Sequence, residues 1–393
     1  MKKKLCSLIC FALIITMLFI TNNANLKVNA YTEEMFSNFT SSSYVLLDAN
    51  SGTVLVSKNQ NEKMQVASIC KLMTSLLTLE KLDSGQLKLT DELLASEHAC
   101  SMEGSQAFLD AGSSYKVSEL LKSVIVASAN DSAVVLAESL AGTESAFVAQ
   151  MNKRAKELGM NNTIYANATG LPAPNQYSTA IDTSIILKEV SKYNTYVQDS
   201  NIWMDTFTHP SGRQTELVNT NRLIKYYDKC KTGKTGFTDE AGYCLASSAS
   251  SNGLNLIAVT LKCDKAQDRF KESMELFNYG FANFENKKLI DSSKSINQKV
   301  SVSGGKLTEV EIGFKNDFSV VCKKGDGSNY EVKINFEKSI SAPKNKNFKV
   351  GVATIVKEGK IVGEVDVILK QNVEKQQFNN ILEKLAKNWA LIK

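Results

Sequence analysis

In Ser68-Ile69-Cys70-Lys71 a hydroxyl precedes an amine by three residues. A serine hydroxyl attacks a carbonyl only when an adjacent base takes its proton. Three residues along a helix place Lys71 one turn on, facing the same way as Ser68. The start of a helix also offers free N–H groups and a positive dipole end, which favour the anion of acyl transfer. Burial and cationic neighbours would lower the lysine pKa toward that of a working base. Alone the pattern is common, and Ser68 reads equally well as a plain helix cap.

Two further stretches change that balance. Ser128-Ala129-Asn130 ends the apolar run Leu120 to Ala127 and is expected in a loop between helices. There a hydroxyl relays a proton and an amide holds a substrate amide; by itself it is an ordinary polar loop. Lys234-Thr235-Gly236 lies just before a strand-like run, Tyr243 to Ser248. The ammonium and hydroxyl suit a carboxylate, and glycine lets a backbone approach an edge strand, where a peptide adds as an extra strand. A serine-x-x-lysine, a serine-x-asparagine about 60 residues on and a lysine-threonine-glycine about 100 further form an acyl-transfer set in the right order.

The elements that must hold these residues follow from periodicity. Tyr44 to Asp48 and Thr53 to Ser57 alternate around Asn50-Ser51-Gly52 and predict a β-hairpin. From Ser68 the apolar spacing becomes helical through Leu82, and residues 117–141 and 143–158 also read as helix. Strand-like runs at 242–249 and 254–262 precede an amphipathic helix from about Ala266 to Phe284. Strands at both ends with helices between predict a sheet covered by helices. Residues 297–370 then show short period-two segments separated by turns such as Gly304-Gly305, which predicts a small all-β domain. Finally, Phe378, Ile381, Leu382, Leu385, Trp389 and Ile392 share one helical face. Such a helix fits a membrane interface or the protein's own surface. Export without a spanning segment favours the membrane.

A basic start (Lys2, Lys3, Lys4), an apolar run from Leu5 to Ile20 and Val28-Asn29-Ala30 together read as an export signal cleaved near Tyr31. The run is shorter than the ~20 residues a spanning helix needs. Removing residues 1–30 takes four lysines from the 46 basic residues, leaving 42 against 41 acids, a net of +1 rather than +5. That balance gives no support to a nucleic-acid partner. Six cysteines remain, at 70, 100, 230, 244, 263 and 322, with no C-x-x-C pair and only two histidines, so no zinc site or other metal is expected. An even count in an exported chain permits disulfides, but a chain of 393 residues does not need them, and mostly free or buried thiols are expected. The composition excludes disordered, collagen-like and coiled-coil classes.

From about Tyr44 to Phe284 the chain resembles the serine D-alanyl-D-alanine carboxypeptidases, the low-molecular-weight penicillin-binding proteins. The likeness runs through Leu47-Asp48, Ala67-Ser68, Lys71 to Thr74, Ala127 to Asp131, Met151-Asn152, Leu158 to Met160, Asn167 to Leu171, Tyr177 to Asp182, Asn219 to Leu223 and Lys234 to Leu245. It implies an α/β (α+β) serine β-lactamase/transpeptidase-like catalytic domain, an antiparallel sheet covered by helices, over residues 31–288. A β-rich domain at 289–372 and a terminal amphipathic helix at 373–393 would follow. Ser68 would be acylated and Lys71 would be its base. Ser128 would carry the proton toward the leaving D-alanine, and Asn130 would orient the substrate. Lys234, Thr235 and Gly236 would receive the terminal carboxylate, with Arg222 a candidate second cation. The backbone N–H groups of Ser68 and Phe237 would form the oxyanion hole. No cofactor is implied. The implied partners are peptidoglycan stem peptides ending in D-Ala-D-Ala, with β-lactams as covalent inhibitors.

The chain departs from the family pattern at Val66, where proline is common, at Phe237, where some members have histidine, and at Thr220, in the middle of Asn-x-Asn. A second Lys-Thr-Gly occurs at Lys231 to Gly233; only the later copy continues as Phe-Thr-Asp-Glu-Ala-Gly-Tyr, so the earlier one is expected in the preceding turn. A β-lactamase shares the three motifs and would add a glutamate that activates water. Glu157 offers one superficially, but it falls in an amphipathic helix and reads as a solvated face residue. A silent penicillin-binding wall protein would be expected to have lost Ser68 or Lys71.

Overall fold

The structure, a computed structural model, describes residues 35–377 apart from residue 327. Residues 1–30, read above as an export signal, and the apolar-faced segment from Phe378 onward lie outside the described residues. The chain divides into two units, the first ending at Ala282 and the second beginning at Asn283.

Five strands of the first unit form one antiparallel sheet: β1 (Ser43–Asp48), β2 (Val54–Lys58), β3 (Cys230–Thr238), β4 (Gly242–Ser251) and β5 (Leu254–Cys263). Their order is β2-β1-β5-β4-β3, so β3 is an edge strand. The β1–β2 hairpin turns where Asp48 accepts from both the N–H and the hydroxyl of Ser51, at 2.7 Å each. Gly52 supplies the left-handed residue at φ +76°. The β4–β5 turn runs through Asn252 (φ +49°) and Gly253 (φ +76°), the pair that matches the right-handed twist of a tight hairpin.

The longer helices are α1 (Lys71–Asp83), α2 (Val117–Val126), α3 (Asn130–Ala141), α4 (Glu144–Glu157), α5 (Ala180–Val190), α6 (Asn194–Ser200) and α7 (Asp268–Asn283). Threonine hydroxyls cap α4 and α5: Thr143 accepts from Ala146 and Thr179 from Asp182, each at 3.1 Å. Each such cap contributes about 1 kcal/mol. β1 is buried at all six positions because helices cover both faces of the sheet. Val45 and Leu47 join α1 and α5 in one core. The opposite face carries α7, whose Gly280 has no room for a Cβ: one would stand 2.5 Å from Leu256 and 3.1 Å from Leu46. α1 is buried on every side from Lys71 to Leu79. It is therefore the central helix, and its apolar residues surround it rather than forming a stripe.

In the second unit, Phe284–Ile290 pairs antiparallel with Phe318–Lys323. The boundary expected after residue 288 thus falls inside a strand that belongs with the β-rich unit. A six-stranded sheet completes it, with Val300, Val310, Ile312, Ile355, Val367 and Leu369 among the buried core. The terminal helix was expected from 373, but Val373 and Lys375 form antiparallel bridges to Lys344 and Gly305. Val373 is buried in the β-rich core, so tertiary packing holds this start in an extended form.

Candidate active site

Ser68 lies in a single 3₁₀ turn, Ala67–Cys70, that leads directly into α1. The helix expected from Ser68 therefore begins at Lys71, and the Ser68 hydroxyl makes no cap bond. Ala67 enters the turn at φ +48°, a conformation L-residues adopt only at a cost and often at functional sites. Two glycines hold it there. At Gly170 a Cβ would stand 2.0 Å from the Ala67 carbonyl oxygen, and at Gly236 one would stand 2.4 Å from that of Val66 and 3.3 Å from the Ser68 nitrogen.

The Lys71 ammonium donates to Ser68 Oγ at 2.9 Å and to the Thr169 carbonyl at 2.6 Å. Lys71 is fully buried, and burial moves its amine from 10.5 down to about 7. The Cys70 thiol beside it is pushed up to about 12 by its own burial, so it carries no counter-charge near neutral pH. Residues 167–171 form the wall behind this base. Their carbonyls accept from Lys71, from Thr74 Oγ1 (2.7 Å) and from Cys70 Sγ (3.3 Å). Asn167 Oδ1 folds the wall by accepting from the Thr169 and Gly170 N–H groups.

The second stretch sits where α2 stops and α3 begins. Ser128 bridges them at φ +65°, which ends the helical run expected from 117 to 141. This break is why Ser128 and Asn130 both stand at the junction of α2 and α3. Asn130 donates to the Glu103 carbonyl at 2.5 Å, while its Oδ1 is buried with no protein partner. Next to it the Asp131 carboxylate accepts from Ala107, Leu109 and Ser132 N–H at 2.8 to 3.1 Å, pinning residues 103–109 beside Asn130. The sequence reading gave Asp131 no role beyond its place in the motif.

The third stretch lies on edge strand β3. Lys234 is buried and donates to Ser128 Oγ at 2.7 Å, and Thr235 Oγ1 donates to Thr220 Oγ1 at 2.7 Å. Burial holds the Lys234 amine well below its ordinary range, and repulsion from Lys71 and Arg269 lowers it further. Ser68, Lys71, Ser128, Asn130, Lys234, Thr235 and Gly236 are thus joined by direct contacts or by shared neighbours. Phe237 is half exposed and stacks on Tyr243, with ring centres 4.2 Å apart. Arg222 is exposed, just before the short helix Leu223–Tyr226, and makes no hydrogen bond to the other site residues among the described ones.

Arg269 of α7 was not anticipated. It donates to the Gly236 carbonyl at 3.0 Å from behind the strand, and its Nε is buried without a partner. No local motif marks it; only the crossing of α7 over the sheet brings it there. The earlier Lys-Thr-Gly copy was expected in a turn, but Lys231–Gly233 lies within β3 itself. Continuous pairing of Thr232 and Gly233 with Ser248 and Ser247 on β4 keeps it extended. Glu157 is on the surface of α4, paired with Arg154 at 3.2 Å.

A serine–lysine pair in a turn at the head of a buried helix, a hydroxyl at a helix break and a lysine-bearing edge strand are the arrangement of a serine acyl-transfer fold. Residues 28–265 match the D-alanyl-D-alanine carboxypeptidase family, and residues 284–375 match the C-terminal domain of penicillin-binding protein 5. The chain is 37% identical over 352 residues to D-alanyl-D-alanine carboxypeptidase DacF of Bacillus subtilis, covering 89% of this chain and 90% of that one. It is 33% identical to the DacC carboxypeptidase of Escherichia coli over 85% of this chain and 84% of that one. The solved structure of penicillin-binding protein 5 from Haemophilus influenzae superimposes with a TM-score of 0.71 at 31% identity, over 86% of this chain and 98% of that one. The chain belongs to the D-alanyl-D-alanine carboxypeptidase family.

Proposed function

We propose that this protein removes the terminal D-alanine from peptidoglycan stem peptides through an acyl-enzyme on Ser68, and that penicillins acylate the same residue. The observation that carries the proposal is the Lys71 amine, 2.9 Å from Ser68 Oγ and lowered to about 7. Ser68 Oγ attacks the penultimate D-alanine carbonyl while Lys71 takes its proton. Donors at the Ser68 and Phe237 nitrogens stabilise the oxyanion. Ser128 passes a proton to the departing amine, and D-alanine leaves. Water then attacks the ester and returns Ser68 to its hydroxyl form. Asn130 orients the peptide through its unpartnered Oδ1, the acceptor a substrate N–H requires.

Both buried amines resist protonation, first because burial disfavours the charged form, and Lys234 is lowered further by its cationic neighbours Lys71 and Arg269. A substrate carboxylate between Lys234 and Thr235 would hold a proton on Lys234 and leave Lys71 as the neutral partner. Arg222 is kept as a second cation for that carboxylate, reached only by movement of its exposed side chain. A peptide would lie along β3, whose outer edge has no neighbouring strand among the described residues.

Export with removal of residues 1–30, action outside the cytoplasmic membrane and attachment through the terminal segment complete the reading. They are supported by the basic-apolar start, the lysine- and tryptophan-bearing amphipathic end and the location of the substrate. No helix among the described residues is long and apolar enough to cross a membrane. The second unit would serve as a spacer. A β-lactamase is not favoured, since Glu157 is engaged in surface ion pairs.

The test is to incubate the protein with a peptide ending in D-Ala-D-Ala and assay free D-alanine. Release by the wild type, lost in Lys71→Ala, is expected. No release, or undiminished release by the variant, refutes the assignment. Rapid turnover of penicillin in place of a long-lived adduct would turn it toward a β-lactamase.

A further inference from the structure

The earlier Lys-Thr-Gly copy lines a cavity of its own. Lys231 and Thr232, at the start of β3, border a cavity of about 440 Å³ between the end of the sheet and the C-terminal end of α5. Its floor includes the apolar side chains of Leu256 and Ile257, and Lys188 and Lys192 stand with Lys231 around it. No aspartate or glutamate is among its lining residues.

The lysines at and just beyond the end of α5 have a structural reason to be there. Cations near a helix C-terminus offset the negative dipole end, Lys192 pairs with Glu189 at 2.6 Å, and Lys188 donates to the Asn50 carbonyl at 3.1 Å. Lys231 comes from a different element and makes no ion pair among the described residues, so neither reason applies to it.

The hydroxyls give a second, independent argument. Thr232 Oγ1 is 3.1 Å from Ser191 Oγ and 2.7 Å from Ser248 Oγ. Three hydroxyls carry three protons, and two bonds among them use two. The third proton sits on one of the three hydroxyls and is not used among them, and Ser191, Thr232 and Ser248 all line the cavity. Ammonium groups and a spare hydroxyl proton around an apolar floor are complementary to one kind of ligand.

We propose that this cavity binds an anion carried on an apolar body, a carboxylate or phosphate attached to a hydrocarbon or aromatic group. The site is separate from the Ser68 cleft, and its existence does not depend on the proposed reaction.

The probe is 8-anilinonaphthalene-1-sulfonate, an aromatic anion whose fluorescence rises on binding, titrated against the full chain. A saturable component of one site per chain is expected. The double variant Lys188→Gln/Lys231→Gln should weaken it by at least about tenfold, the loss expected when two partly exposed charge contacts vanish. Lys153→Gln, on α4, should leave it unchanged. Decanoate should displace the probe and decanol should not. Displacement by phosphatidylglycerol vesicles as well identifies a lipid as the source of the anion; displacement by decanoate alone identifies a soluble acid. If the double variant fails to fold, Ser250→Trp, which fills the cavity and keeps its charges, should abolish the same component. A component unaffected by these substitutions, or one displaced equally by decanol, overturns the proposal.

Discussion

Consider the rate at which a penicillin acylates the protein, followed from pH 5 to pH 9. The Lys71 amine is lowered from 10.5 to about 7, first by burial, with Asp131 pulling it back upward. A lysine with its ordinary pKa would be neutral in only about one molecule in 3,000 at pH 7, whereas this one is neutral in about half. The structure therefore makes the competent base roughly 10³-fold more abundant, equivalent to about 4 kcal/mol of barrier at that pH. A basic group with a depressed pKa is protonated and inactive at low pH and gains activity as pH rises through that value. The second-order acylation rate should thus climb about 50-fold between pH 5 and pH 7 and only about twofold above it. Stopped-flow quenching with a fluorescent penicillin, checked by intact mass, measures it. A flat profile below pH 7, or a rate still rising tenfold per unit at pH 9, would refute the claim that Lys71 is the titrating base.

Gly236→Ala forces a Cβ to within 2.4 Å of the Val66 carbonyl, so β3 and the nucleophile turn must separate. A misplacement near 1 Å costs about a hundredfold, and acylation should fall by that order; a loss below fivefold would mean the contact does not set the geometry. Asp131→Asn keeps the shape but gives up a carboxylate that accepts three backbone N–H groups. Stability should fall by about 2–4 kcal/mol, read from urea unfolding, and the acylation midpoint should shift below pH 7 because a charge that raises the Lys71 pKa is gone. Unchanged stability would show that residues 103–109 are held by something else.

The order of strands and helices was readable because period-two and helical spacings are local properties. The β1–β2 hairpin and the β4–β5 pair appear within two residues of where the pattern indicates, whereas the β-rich unit starts earlier than 297, with the strand Phe284–Ile290. The three motifs were readable because each is short and their order is restrictive. What escaped was set by contacts distant in sequence. Arg269 reaches Gly236 across 33 residues, and the carbonyls of 167–171 reach α1 across nearly a hundred. The 3₁₀ turn at Ser68 was misread as helix because apolar spacing cannot tell i+3 from i+4 bonding over one turn. Lys231–Gly233 was misread as a turn because its glycine masks a strand fixed by pairing with β4.

The six cysteines of the described residues are unpaired, and five of them are buried. They are spread usefully: Cys70 in the nucleophile turn, Cys230 and Cys244 on β3 and β4, Cys263 at the end of β5 and Cys322 in the β-rich unit. Burial pushes each of these five thiols up, so they react with labelling reagents only when their surroundings open. The native chain therefore carries a ready-made set of opening reporters. Alkylation timed against mass spectrometry would rank the breathing of the nucleophile turn, the sheet and the second unit without any substitution.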